Sequence, residues 1–149
     1  MHHSTGFFGI GILNCKRETN LGTLWRSAFI FGASFIFTIN KKYKKQSSDV
    51  LQSWSKIPSY HYDTVEEFYK HIPYSCILVG VEFDRNATPI KDYEHPKRCI
   101  YLLGAEDIGL TNEAKSKCHE MIVLPGDYCL NVAVSGSIVM YDRLMKSKN

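Results

Sequence analysis

Five short apolar runs constrain this chain more than any other feature: FFGIGIL at 7–13, FIFTI at 35–39, CILVGVEF at 76–83, CIYLL at 99–103 and EMIVL at 120–124. Each is strand-length and none shows the polar alternation of a strand with one wet face. The segments between them read as helices. Leu21, Leu24, Trp25, Ala28 and Phe31 recur at helical spacing after Asn20, with Gly32 as the stop. Thr64 and Glu67 have capping-box spacing for a helix that ends near Ile72-Pro73, and Thr111 suits the cap of a helix over 112–118. A weak helix is expected near 49–55 and a long one over 128–146. Buried strands alternating with helices predict an α/β fold, a mostly parallel sheet with helices on both faces.

The 149 residues suit a single domain, with no appended RNA-binding extension expected. A chain of this length buries ~70% of its unfolded surface and needs no covalent staple. The five cysteines, at 15, 76, 99, 118 and 129, are odd in number and contain no CxxC pair, so they read as reduced, mainly buried thiols of a cytoplasmic protein. The six histidines show no HExxH spacing, and Cys118-His119 alone cannot build a four-ligand site, so no metal is expected. The N-terminus lacks a signal-peptide pattern, and the longest apolar stretch, 27–39, is interrupted by Gly32 and Ser34. No membrane partner is expected. The net charge of +3 says little about partners, but Lys41, Lys42, Lys44 and Lys45 crowd around Tyr43. That run reads equally as a solvated loop or as a phosphate-facing patch.

Familiar nucleotide motifs are missing. Gly9 and Gly11 begin a GxG fingerprint, but position 14 is Asn and no helix opens there, which argues against a Rossmann site. No P-loop occurs. Ser135-Gly136-Ser137 lies inside a helical pattern, without the strand-to-helix elbow of a hydrolase nucleophile. Three other stretches follow predicted strands: Asn14 to Gly32 with Asn20 and Arg26, the acidic Gly-flanked loop 103–110, and the segment from Leu124 to Asn131. The carboxyl ends of strands are where open α/β sheets bind ligands. Each stretch alone also reads as an ordinary turn.

Together and in order, N…NLGTLWR…FG, LLGAEDIGL and IVLP…CLNVAV…IVMYD resemble the three motifs of the SpoU/TrmH branch of the SPOUT superfamily. Its members are S-adenosylmethionine-dependent RNA 2′-O-ribose methyltransferases. The resemblance spans residues 9 to 143. It implies a C-terminal deep trefoil knot, which general chain-topology rules would not have suggested, a homodimer, S-adenosylmethionine as cofactor and RNA as substrate, while the expected lack of an RNA-binding extension puts tRNA before rRNA. It also implies site residues. Asn20, Arg26, Glu106 and Asn131 match catalytic positions. Val81, Glu82, Gly104, Leu124, Gly126, Cys129 and Leu130 match positions around the cofactor. Where the family usually has Ser-Leu-Asn-Val-Ser, this chain has Cys129 and Ala133 in the serine places. A thiol is a weak hydrogen-bonding group and a methyl is none.

Three alternatives stay open at this point. A knotted RNA-binding protein without turnover would account for the lost serines. A generic nucleotide-binding α/β protein is disfavoured by the missing motifs. Arg26 has a structural alternative of its own, a buried arginine paired with Glu106. On the last helix, Leu130, Val134, Ile138, Tyr141 and Met145 form an apolar stripe, and Ala133, Gly136, Ser137 and Met140 form a face of mainly small residues. The small face would allow close approach of a second packed partner, and the resemblance makes it part of a subunit interface.

Overall fold

The computed structural model describes residues 6–40, 56–106, 108–126 and 131–147. In chain order the elements are β1 (Phe7–Leu13), α1 (Glu18–Phe31), β2 (Phe35–Ile39), β3 (Ser59–Tyr62), α2 (Val65–Lys70), β4 (Ile77–Val81), β5 (Thr88–Pro89), a 3-10 turn at Ile90–Asp92, β6 (Arg98–Gly104), α3 (Asn112–Lys117), β7 (Glu120–Val123) and α4 (Val132–Ser147). The seven strands form one sheet in the order β3-β2-β1-β6-β4-β7-β5. Every pairing is parallel.

The five apolar runs all form strands, and they occupy the middle of the sheet. The two strands that sequence reasoning missed are the edges. Ser59–Tyr62 is a polar, partly wet strand, and Thr88-Pro89 is a two-residue pairing whose proline cannot donate to a ladder. Neither carries the signature of a buried strand.

Alternation along β1 sorts the core into two layers. Phe8, Ile10 and Ile12 point to α1 and α4, where they meet Leu21, Leu24, Ala28, Val139 and Met140. Leu13 and Phe37 of β2 point to the other face, with Val65 and Phe68 of α2 and Ala114 of α3. Gly9 and Gly11 lie on that second face of β1. A Cβ on either would overlap the Phe35 or Phe37 ring of the neighbouring strand. The GxG therefore makes room for aromatic packing, and no phosphate-binding turn is involved.

The caps follow the expected chemistry. Gly32 ends α1 in the left-handed region at φ 85°, and Thr64 Oγ1 accepts the Glu67 N–H at 3.0 Å. The Glu67 carboxylate returns to the N–H of Asp63, one residue before the cap, at 3.3 Å. Thr111 accepts the Ala114 N–H at 3.2 Å. Helix α1 begins at Glu18, so Asn20 lies within its first turn. The helix expected over 49–55 and Lys41, Lys42, Lys44 and Lys45 lie outside the described residues.

Helix α4 corrects two expectations. Its described part begins at Val132, because Asn131 takes the cap position. Its small-residue face is also not free for a second subunit. Ala133, Gly136 and Met140 are buried in the chain's own core, and a Cβ on Gly136 would overlap Leu24 of α1. Small residues are needed there because α1 and α4 approach closely over the same sheet face. Ser137 Oγ lies 2.8 Å from the Ala133 carbonyl and 2.9 Å from Ser27 Oγ, a polar stitch between the helices. The apolar stripe is the exposed side, with Val134, Ile138 and Tyr141 in contact with water.

Near the other end of α4 lies a buried polar network that no sequence motif announced. Arg143 is 3% exposed. It donates to the carbonyls of Pro96 at 2.7 Å and Lys97 at 3.1 Å, and stacks over Phe8. His95 bridges Tyr101 Oη at 2.6 Å and Asp142 Oδ2 at 2.7 Å. Asp142 only accepts, so the proton of neutral His95 sits on Nε2 and Tyr101 donates to Nδ1. Lys146 binds Asp142 at 2.9 Å and donates to the carbonyls of Ile90 and Tyr93. Burial lowers the His95 pKa; the Arg143 and Lys146 charges lower it further, and Asp142 offsets them only in part. The folded chain then binds fewer protons than the unfolded chain between that lowered value and the ordinary ~6.5. Stability held above about pH 6.5 should fall as pH drops through this window. Urea unfolding across pH should show a shallower decline for His95→Gln than for the unsubstituted protein, and equal slopes would refute the assignment.

Candidate active site

The carboxyl ends of β1, β6, β4 and β7 lie side by side, and the three sequence stretches meet there. Asn131 organises them. Its Oδ1 accepts the N–H groups of Ala133 at 2.8 Å and Val134 at 3.3 Å, which caps α4. With the oxygen so used, the amide nitrogen must point away, and it donates to Asn20 Oδ1 at 2.8 Å. Asn20 therefore presents its own amide nitrogen onward, in a short hydrogen bond to Glu106 Oε1. A carboxylate accepts only. The chain of three side chains thus has one direction, set at its start by the helix N-terminus. It joins positions separated by 111 and 86 residues. Asn20 is 8% exposed, so its hydrogen bonds are made largely out of water.

A second clamp shapes the loop that carries Glu106. Glu82 extends from the end of β4, where its N–H bonds the Ile122 carbonyl of β7 at 3.0 Å. Its carboxylate accepts the N–H of Phe83 and of Leu110, each at 2.9 Å. The loop folds back tightly, with Gly109 N–H on the Ala105 carbonyl at 2.8 Å. Two glycines permit this. A Cβ on Gly104 would strike the Gly109 backbone, and Gly109 itself holds φ 71° against the Glu82 carboxylate. Glu82, expected beside a cofactor, has both oxygens engaged by backbone.

Val81 is buried at the end of β4, in register with Leu103 of β6 and Ile122 of β7. Gly104 and Leu124 end or follow the flanking strands, and Gly126 holds φ 127°, a conformation that favours glycine. Cys129 and Leu130 lie outside the described residues. Ala133 is buried against the core, so its methyl serves packing in place of the usual serine.

Arg26 is exposed on α1, and among the described residues its guanidinium makes no hydrogen bond or ion pair. The alternative of a buried Arg26–Glu106 pair is overturned, because Asn20 holds Glu106. Sequence reasoning also passed over the partner of Asn14. Asn14 and Asn40 end adjacent strands in the left-handed region, at φ 57° and 75°, with Asn40 Nδ2 on Asn14 Oδ1 at 2.8 Å. Asparagine is the non-glycine residue best suited to that conformation. No group of three metal-ligating side chains occurs among the described residues.

Asn131 carries two separable duties. Asn131→Ala should lower stability by about 0.5–2 kcal/mol through the lost cap. Asn131→Ser should recover most of that loss while leaving Asn20 without its donor. Denaturation midpoints for the pair test this, and an equal loss in both variants would show that the amide link dominates over the cap.

Comparison with known proteins shows the family and the fold. The family model described as SpoU rRNA Methylase family matches residues 8–141. A curated relative, the 23S rRNA (guanosine-2′-O-)-methyltransferase RlmB of Acinetobacter baylyi, is 31% identical over 68 residues, covering 44% of this chain and 27% of the relative. The AdoMet-bound rRNA methyltransferase from Sinorhizobium meliloti superposes with a TM-score of 0.83 at 20% identity, over 98% of this chain and 59% of the other. A structure described as giving insight into the 2-OH methylation of C/U34 on tRNA superposes with a TM-score of 0.83 at 16% identity, over 97% and 98% of the two chains. These likenesses establish the fold, and the chain spans about three-fifths of the length of the first of the solved structures. With its three motifs gathered at the carboxyl edge of the sheet, the chain belongs to the SpoU rRNA Methylase family.

Proposed function

We propose that this chain transfers a methyl group from S-adenosylmethionine to a ribose 2′-hydroxyl of RNA, with tRNA as the substrate class. The observation that carries the proposal is the directed Asn131–Asn20–Glu106 chain, which gathers the three family motifs at one edge of the sheet. S-adenosylmethionine supplies a methyl group already activated on a sulfonium. The strand ends fit such a ligand: Val81, Gly104 and Leu124 line adjacent positions, and Gly126 permits a close backbone approach. Cys129 and Leu130 belong to the proposed cofactor loop and lie outside the described residues; the C-terminal segment of the proposed trefoil knot includes α4. Glu82 holds the neighbouring loop in place and leaves cofactor contacts to the backbone.

The protein's remaining work is alignment and charge. Holding two reactants in line contributes up to ~7–11 kcal/mol. The Asn20 and Asn131 amides hold Glu106 fixed beside the reacting ribose. Arg26 offers a planar guanidinium fork, a poor base but a good partner for a phosphate and for charge developing on the 2′-oxygen. The proton leaves late or with the help of water. The reading of a binding protein without turnover draws on Cys129 and Ala133. Labelled cofactor offered with tRNA and rRNA separates it from the enzyme, and separates the two substrates. The likeness in fold to a structure described as giving insight into the 2-OH methylation of C/U34 on tRNA supports tRNA.

A homodimer is part of the proposal, through the exposed stripe of Val134, Ile138 and Tyr141 with Ile30 of α1. Thr23, Arg26 and Ile30 share a helix face, so Arg26 would stand at the seam. Light scattering at micromolar concentration should give the dimer mass, and Ile138→Glu should give a monomer. A monomeric unsubstituted protein would remove both the assembly and the shared site.

Arg26→Lys tests the chemistry. The side chain is exposed and without a described partner, so the variant should keep its stability within about 0.5 kcal/mol. S-adenosylhomocysteine should raise its melting temperature as it does for the unsubstituted protein. Single-turnover methyl transfer should fall roughly a hundredfold, as when one preorganised charge-stabilising donor is lost. Near-normal transfer by the folded variant would refute the role.

A further inference from the structure

Two exposed apolar side chains stand where the site meets solvent, and among the described residues neither joins a core cluster. Phe83 directly follows β4 and is 80% exposed; Ile108, in the loop after β6, is 62% exposed. The backbone beneath them is braced. One Glu82 oxygen takes the Phe83 N–H and the other takes the Leu110 N–H, each at 2.9 Å. Asp84 closes the turn after Phe83, with its side chain on the Asn86 N–H at 2.9 Å and its carbonyl on the Ala87 N–H at 3.0 Å. A single carboxylate therefore holds both segments, and one of them carries Glu106.

The charges nearby select a partner. Two N–H groups occupy Glu82, and Lys115 stands 3.9 Å from Asp84. Arg85 is exposed, with no hydrogen bond or ion pair among the described residues. A flat apolar ring and an unneutralised guanidinium two residues away suit an unpaired nucleobase and its phosphate. Two side chains are too few for a protein partner, which covers about 800 Å² on each side of a standard interface. An open ring is also unlike the wall of a cofactor site, which encloses most of its ligand.

We propose that Phe83, together with Ile108, is a stacking ledge for an unpaired base of the substrate RNA, with Arg85 on the adjoining phosphate. This rests on the RNA methyltransferase reading and deepens it by naming how single-stranded RNA is seated. Phe83→Ala, Phe83→Leu and Phe83→Trp test it in the full chain, with bulk tRNA, a short single-stranded RNA of mixed sequence and the same RNA annealed to its complement as probes. The ring is exposed, so all three variants should keep the melting temperature and the S-adenosylhomocysteine-induced shift. Phe83→Ala and Phe83→Leu should weaken single-stranded RNA binding roughly tenfold, the size of one lost base–aromatic stack, with little effect on the duplex. Phe83→Trp should restore affinity, and its indole fluorescence should be quenched by the single strand. Unchanged RNA affinity in Phe83→Ala beside a methylating unsubstituted protein overturns the ledge alone. A weakened response to S-adenosylhomocysteine would assign the ring to the cofactor, and loss of the dimer mass would assign it to a subunit interface; either overturns the ledge. An unsubstituted protein that neither binds RNA nor responds to S-adenosylhomocysteine overturns the underlying reading, and the ledge with it.

Discussion

Parallel pairing of β1 with β6 at the centre of the sheet is the constraint on which the rest depends. The register runs from Phe7 opposite Arg98 to Leu13 opposite Gly104. Parallel strands need crossover connections, and every loop leaving a carboxyl end emerges on the same edge. The loops after β1 and β6 are remote in the chain yet become neighbours. Only then can Asn20, at the start of α1, meet Glu106 in the loop after β6. The same pairing needs both faces covered, and α1 with α4 on one side and α2 with α3 on the other provide the cover.

Helix α4 is fastened at both ends, by different chemistry. At its start, Asn131 satisfies two orphan N–H groups and passes orientation to the site. Toward its end, Arg143 and Lys146 bind carbonyls of the segment before β6. A buried cation is costly unless its donors are filled. Carbonyls of Pro96 and Lys97, the Tyr101 hydroxyl and the Phe8 ring surround this guanidinium. Close packing of Gly136 on Leu24 fixes the middle. A helix held at three points sets the Asn131 amide reproducibly, which a preorganised site requires.

The groups left over are informative because so much else is satisfied. Glu82, Asn20 and Asn131 have their hydrogen-bonding capacity largely spent inside the chain. Arg26 and Arg85 keep unpaired guanidinium groups among the described residues, and Phe83 and the stripe on α4 keep exposed apolar surface. Helices α1 and α4 and the hydrogen-bonded turn after β4 carry them at the surface. Charges and apolar surfaces presented this way are what a protein offers to something outside itself.

Local residue patterns dictate the central strands and the helix caps. A buried strand must be continuously apolar, Gly32 tolerates positive φ, and Thr64 and Thr111 cap through local hydrogen bonds; all three are short-range effects written in adjacent residues. The edge strands escaped notice because Ser59–Tyr62 and Thr88-Pro89 bury little and so carry no apolar pattern. Tertiary structure alone decided which face of α4 is free. Helical spacing marks two faces, but only the close approach of α1 shows that Gly136 and Ala133 are consumed internally while Ile138 is not. It also decided that Glu106 answers to Asn20 and that Arg26 has no partner among the described residues. The direction of a hydrogen-bond chain depends on which backbone N–H groups lie within 3.5 Å of an amide oxygen, and residues 86 positions apart acquire that proximity only when the strands between them have paired.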